Sequence, residues 1–338
     1  MSNYILSICI PTYNRISSLS RLIENLLGSN DDRFNIVVQD NCSTDGTEKY
    51  FLKQSSPRIV FRQNKENKGA AYNYMASLLE NEGVYSLFVI DKDHLSISHL
   101  SKFIDYLQQR NPDFGFVELN LKEDGKFGVK AYHAGFDSIR TTAYLSKHPT
   151  GFFYRSSLLT KELIQSYFDE QGFDFPFPFE IINAHIGSQY QASVVYLPLL
   201  YQESTEETVK YKSISYNENN LFFSPEKRIE AFDRYVRDLQ SLNINLSAKR
   251  KLFKDVFRRA LSQVSIGYRS AMTNQIILSH YNLIERNVTV GEMFENLSKV
   301  LNRYLVLGGD AGTTVIAYYL VYRQKIAIFL KELKLWKK

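Results

Sequence analysis

Residues 4–15 read YILSICIPTYNR. An apolar, β-prone run reaches Pro11 and then releases polar and aromatic side chains. Proline has no N–H to offer a strand ladder, so the spacing predicts a first strand over 4–10 that stops there. The next stretch, ISSLSRLIENLLGS, puts Leu19, Leu22, Ile23, Leu26 and Leu27 at helical spacing, with Gly28 as a stop. The alternation then recurs. FNIVVQD (34–40) is a second strand, followed by TDGTEKYFLKQ as a helix begun in a turn. RIVFRQN (58–64) is a third strand, and a helix opens at Gly69. VYSLFVID (84–91) is a fourth, with HLSKFIDYLQQR as its helix. Four strand–helix units in succession predict an α/β fold: a mostly parallel sheet flanked by helices, with its site at the carboxyl ends of the strands.

Those ends carry Pro11, Thr12, Tyr13 and Asn14, then Asp40 and Asn41, then Asn64 and Asn67, then Asp91 and Asp93. Each cluster alone is an ordinary polar turn; four toward one rim make a crevice. Within FVIDKDHL (88–95), an extended chain would turn Asp91 and Asp93 to one face and Lys92 to the other. Two carboxylates on one face suit a hard cation such as Mn2+ or Mg2+, completed by phosphate oxygens of a substrate. Asp40 at its strand end is placed to accept the ring N–H of a uracil or thymine. Tyr13 could stack on such a base, and packing beside Pro11 would satisfy it equally. In QDNCSTDGT, Thr44 or Asp45 serves as well to cap the next helix.

The 338 residues suffice for one large domain or two unequal ones, and the composition, 44% hydrophobic and 23% charged, is that of a globular protein. A net charge of +5 is too mild to argue for nucleic acid. Cys9 and Cys42 cannot build a disulfide framework, which favours a reducing, cytoplasmic setting. The first residues lack the basic segment of a signal peptide, and no apolar run is long enough for a spanning helix.

Beyond residue 110 the alternation loosens. FGFVELNL (114–121) reads as a strand, PTGFFYRSSLLTKELIQ (149–165) as turn, strand and helix, and SVVYLPLLYQE (193–203) as a late strand. SPEKRIEAFDRYVRDLQSL then reads as a helix capped by Ser224 with Pro225 first, and AKRKLFKDVFRRALSQV as another. The expected division is 1–205, in two halves that meet at about 110–111, followed by a mainly helical region over 206–338. The last segment, TVIAYYLVYRQKIAIFLKELKLWKK, is aromatic and ends basic. Such a helix suits peripheral contact with an anionic membrane, at its cytoplasmic face; a homodimer contact or docking on its own domain would use the same surface.

SICIPTYNR, VVQDNCSTDGT, NKENKGAAYNY and FVIDKDHL, in this order and spacing, resemble the inverting family 2 glycosyltransferases of GT-A fold, well over 4–165 and weakly to about 205. The resemblance implies transfer of a sugar from a nucleoside-diphosphate sugar, uridine favoured, to a hydroxyl of a glycan or lipid-linked oligosaccharide, with Mn2+ or Mg2+. It implies that Pro11, Thr12 and Tyr13 border the nucleoside, that Asp40 reads the base, and that Asn67–Gly69 lies near the nucleotide. Asp91 and Asp93 match the family's D-x-D, Asp93 as metal ligand. Lys92 departs from the residue type usual there; if the strand has already ended, it would reach the diphosphate. Gly151 fits the acceptor loop that precedes the base in this family. For the base itself, Glu180 at the start of a helix-like segment is the first candidate and Asp174 its rival; the family's usual acidic pair is missing. A sugar nucleotidyltransferase is a second reading, disfavoured because PTYNRISS has no glycine-rich loop. A non-catalytic nucleotide- or carbohydrate-binding protein is a third.

Overall fold

The computed structural model describes residues 4–79, 81–173, 175–203 and 221–336. The chain divides into two compact units, Met1–Glu203 and Ser204–Lys338.

In the first unit, β1 (Tyr4–Thr12), β2 (Phe34–Asp40), β3 (Ile59–Gln63) and β4 (Gly83–Phe88) pair in parallel in the order β3-β2-β1-β4. Helices α1 (Ile16–Leu27), α2 (Thr47–Phe51), α3 (Ala70–Leu78) and α4 (Ile97–Arg110) alternate with them, and a short β5 (His94–Leu95) precedes α4. The leucine spacing of α1 does what it predicts: Leu19, Leu22, Ile23 and Leu26 are buried against Ile8, Ile10, Ile36 and Val38. Emptying one such position costs about 2–5 kcal/mol. Pro11 is tolerated in β1 because the β1–β4 pairing has ended at Cys9 and Phe88.

The sheet continues through β8 (Phe152–Arg155), β6 (Phe114–Val117), β9 (Ala192–Tyr196) and β7 (Gly128–Tyr132), with β8 and β7 antiparallel to their neighbours. Three helices accompany this half: α5 (Phe136–Thr142), α6 (Lys161–Gln171) and α7 (Pro178–Gln189). The fold is GT-A: a mostly parallel sheet between helices, with a helical C-terminal region. The late strand expected over 193–203 is two strands, β9 and the short β10 (Leu200–Tyr201), because Pro198 lies between them. β10 pairs with β5 in a separate two-stranded sheet. The edge strand β7 and α5 carry no clear sequence signal; β7 mixes glycine, lysine and exposed valine.

The second unit contains α8 (Pro225–Ser241), α9 (Leu246–Ser262), a π-turn over Gln263–Gly267 leading into α10 (Tyr268–Ala271), α11 (Gln275–Tyr281), α12 (Val290–Leu307) and α13 (Ala311–Trp336). Ser224 caps α8 by accepting the amide of Lys227, with Pro225 at the first position. Thr289 and Glu292 close a capping box on α12. The core of this unit is aromatic; the rings of Phe253 and Tyr304 lie 4.5 Å apart.

Candidate active site

Thr12 joins three strand ends. It is the register partner of Asp40 across β1 and β2, and its carbonyl accepts the amide of Asn41 at 3.0 Å. Its hydroxyl donates to Asp91 at 2.8 Å. Asp40, fully buried, accepts the amide and hydroxyl of Ser43 and the side-chain amide of Gln63 at 2.8 Å. Asn41 holds the next turn by donating to the Asn67 side chain (2.6 Å) and the Gly69 carbonyl (3.3 Å) while accepting the Lys68 amide (3.0 Å). Gly69 there has φ +85°, the left-handed region that favours glycine. Asn73 of α3 donates to the carbonyls of Thr12 and Gln39. Asn14 and Asp45 staple the loop after β1 to the loop after β2: Asn14 accepts the Thr44 amide at 2.7 Å, and Asp45 accepts that of Ile16 at 2.8 Å. Pro11 is buried and Tyr13 half-buried at the same rim.

The acidic pair differs from its expected geometry. β4 ends at Phe88, and the Asp93 amide donates to the Ile90 carbonyl at 3.0 Å, so 90–93 is a tight turn and strand alternation does not orient its side chains. Lys92 accordingly pairs with Glu203 at 3.5 Å. Asp91, 0% exposed, takes the Arg15 guanidinium at 3.1 Å, with Arg15 itself 38% exposed toward solvent. Burial pushes the Asp91 carboxyl above the ordinary carboxylate range, although Arg15 and Thr12 pull it down.

Asp93 is engaged by three groups from two segments: His148 Nε2 at 2.6 Å and the Thr150 hydroxyl from one, and the Glu203 amide at 3.2 Å from the other. Burial alone would raise its pKa, but these hydrogen bonds and His148 together hold it below the ordinary value. Thr150 also accepts the Ile90 amide at 3.0 Å, which ties the D-x-D turn to the loop before β8. That loop is strained: Tyr144 and Ser146 have φ of +56° and +51°. At its end Gly151 has φ +101°, and a Cβ there would lie 2.7 Å from the Val117 carbonyl oxygen.

Glu180, in the first turn of α7, is 2% exposed and accepts the amides of Leu145 and Lys147 in the same loop. Phe179 packs beside it on Phe88 and Phe152. Glu180 and Asp93 are therefore joined through residues 145–150 of one segment. Asp174 lies outside the described residues. Arg15, His148, Thr150 and Glu203 escaped the sequence reading. Arg15 directly follows PTYN, Thr150 directly precedes Gly151, and His148 lies three residues before it, so their signal is proximity to those motifs.

Among the described residues, no group of three His, Cys, Asp or Glu side chains could hold an ion by itself. Asp91 and Asp93 supply buried hard oxygen donors, the set that Mg2+ or Mn2+ takes when diphosphate oxygens complete the shell.

Residues 7–170 match the sequence model of Glycosyl transferase family 2. Over that span the chain is similar to the family 2 glycosyltransferases. Over 113 residues it is 33% identical to the abequosyltransferase RfbV of Salmonella typhimurium, a match spanning 31% of this chain and 33% of that protein. Over 120 residues it is 25% identical to the UDP-Glc:alpha-D-GlcNAc-diphosphoundecaprenol beta-1,3-glucosyltransferase WfaP of Escherichia coli, spanning 36% and 48%. The matches thus span less than half the length of these relatives. The structure of S. aureus TarS 1–349 in complex with UDP-GlcNAc superposes with a TM-score of 0.59 at 16% identity, over 95% of this chain and 88% of that one. That likeness concerns the fold.

Proposed function

We propose that the protein transfers a sugar, with inversion, from a nucleoside-diphosphate sugar to a hydroxyl of a glycan or lipid-linked oligosaccharide in polysaccharide synthesis. The observation that carries this reading is the single rim at which Thr12 links Asp40 to Asp91 while Asp93 joins the D-x-D turn to the acceptor-side loop. The names of RfbV and WfaP support the substrate class, and that of WfaP a uridine donor on a lipid-linked acceptor.

In this reading the Pro11–Tyr13 segment and the Asn67–Gly69 turn frame the nucleoside, and Asp40, held rigid by Ser43 and Gln63, faces the base. Asp91 and Asp93 would hold Mn2+ or Mg2+, which when bound offsets charge on the leaving diphosphate. Arg15 and Lys92 lie beside those carboxylates and bring further positive charge to the same oxygens. Glu180 takes the acceptor's proton. The two amides of the 145–147 segment orient the Glu180 carboxylate. Its burial requires the strained 144–151 loop to shift when the acceptor enters. Asp174 is the alternative base. The second unit supplies peripheral contact with the membrane that carries a lipid-linked acceptor.

The test is incubation with a panel of nucleotide sugars, with and without Mn2+. Release of nucleoside diphosphate, dependent on the metal and abolished by Asp93→Asn, supports transfer. Release of pyrophosphate would mean nucleotidyl transfer, and neither product a binding protein.

A further inference from the structure

The charge of the chain is unevenly divided. Residues 1–220 carry 21 Lys and Arg against 26 Asp and Glu; residues 221–338 carry 20 against 10. The basic excess sits in the helical unit, where α13 has two unlike faces. Ala317, Leu320, Val321 and Ile328 are buried. On the opposite face Val315, Tyr318, Tyr319, Tyr322, Phe329 and Leu330 are between 51% and 69% exposed. This stripe runs about 22 Å along the helix, and residues 311–331 include no acidic side chain. Exposed apolar surface of this extent marks an interaction site.

Basic residues flank the stripe on both sides. Arg323 lies over the Tyr319 ring at 5.8 Å on one side, and Lys325 over Phe294 of α12 at 5.5 Å on the other. Next to α13, the residues Arg250, Lys251 and Lys254 of α9 line a shallow groove shared with Ile316. Arg250 is paired with Asp310 at 2.9 Å. A second copy of the chain set against this face would oppose these cations to their own kind. An anionic lipid surface would neutralise them, while tyrosine rings suit the level of the headgroups. No described helix is long and apolar enough to cross a membrane, so α13 would lie along the surface.

We infer that this face of the helical unit docks on a bilayer of anionic phospholipid, with the stripe of α13 in the headgroup boundary and the α9 row over the phosphates. The inference deepens the membrane contact of the proposed function, and its test does not use transfer. The protein is sedimented with phosphatidylcholine vesicles, with and without phosphatidylglycerol. Partition is expected only with the anionic lipid and falls with added salt. Lys251→Gln with Lys254→Gln should weaken it about 25-fold, each basic residue at an anionic surface being worth about fivefold. Tyr319→Ser with Tyr322→Ser, both exposed, should weaken it about tenfold or more with melting temperature unchanged. Equal partition onto neutral vesicles, no partition, or a dimer dissociated by the tyrosine pair would each overturn the inference. Nucleoside diphosphate release without vesicles is measured on the same samples; its absence would defeat the transferase reading and leave the docking result standing.

Discussion

Replacing Asp93 by alanine should cost both activity and stability, and the second cost can be worked from the hydrogen bonds. The carboxylate accepts from His148, Thr150 and the Glu203 amide. His148, with its side chain 25% exposed, can turn to water. Thr150 and Glu203 are buried, so their donors would be stranded. An orphaned buried donor costs about 1–3 kcal/mol, and two of them about 2–6 kcal/mol. That is a large part of the roughly 5–15 kcal/mol that holds a typical domain together. For a unit of this size each kcal/mol moves the melting temperature by about 2–4 °C, so Asp93→Ala should melt roughly 5–20 °C below the parent. Circular dichroism melts of the two proteins, with nucleoside diphosphate release measured well below both transitions, separate stability from chemistry. A melting temperature within about 2 °C of the parent would refute the three-donor cluster.

Further outcomes follow from the same geometry. Glu180→Gln should lower kcat by about 10²- to 10⁴-fold with donor KM unchanged, the range of a lost general base; an unchanged rate would move that role to Asp174. Gly151→Ala, strained at φ +101° and crowded by the Val117 carbonyl, should destabilise by about 1–3 kcal/mol in chemical denaturation, and a neutral result would mean that the loop turns differently. Asp93, held below its ordinary pKa, stabilises the fold above that value and loses its contribution as pH falls through the lowered one. Asp91, pushed up by burial, acts in the opposite sense, becoming less unfavourable as it protonates. Asp93→Asn should therefore flatten or reverse the acid decline in melting temperature below about pH 5; an unaltered slope would exclude Asp93 as its source. Ser224→Ala should cost about 1 kcal/mol through loss of the α8 cap, read from the melt.

What the sequence determined by itself was local and periodic. Leucines at helical spacing on α1, the β-prone runs of β1 to β4, and Ser224 before Pro225 each state their element, because period and capping chemistry act within a few residues. β1 nonetheless runs on through Pro11 to Thr12, and β4 stops at Phe88, short of the D-x-D. Four such alternations were enough for the parallel half of the sheet, β3-β2-β1-β4, and for the edge at which Thr12, Asp40 and Asp91 meet. Tertiary structure alone decided the partners of those acids. Strand alternation fails for Asp91 and Asp93 because the chain turns at Ile90, which no local propensity announces. Arg15 reaches Asp91, His148 and Thr150 reach Asp93, and Glu180 takes amides from residues 145 and 147, all across gaps that only packing closes. A buried carboxylate takes its partners from whatever the fold brings within hydrogen-bonding distance, and that neighbourhood is assembled from segments remote in sequence.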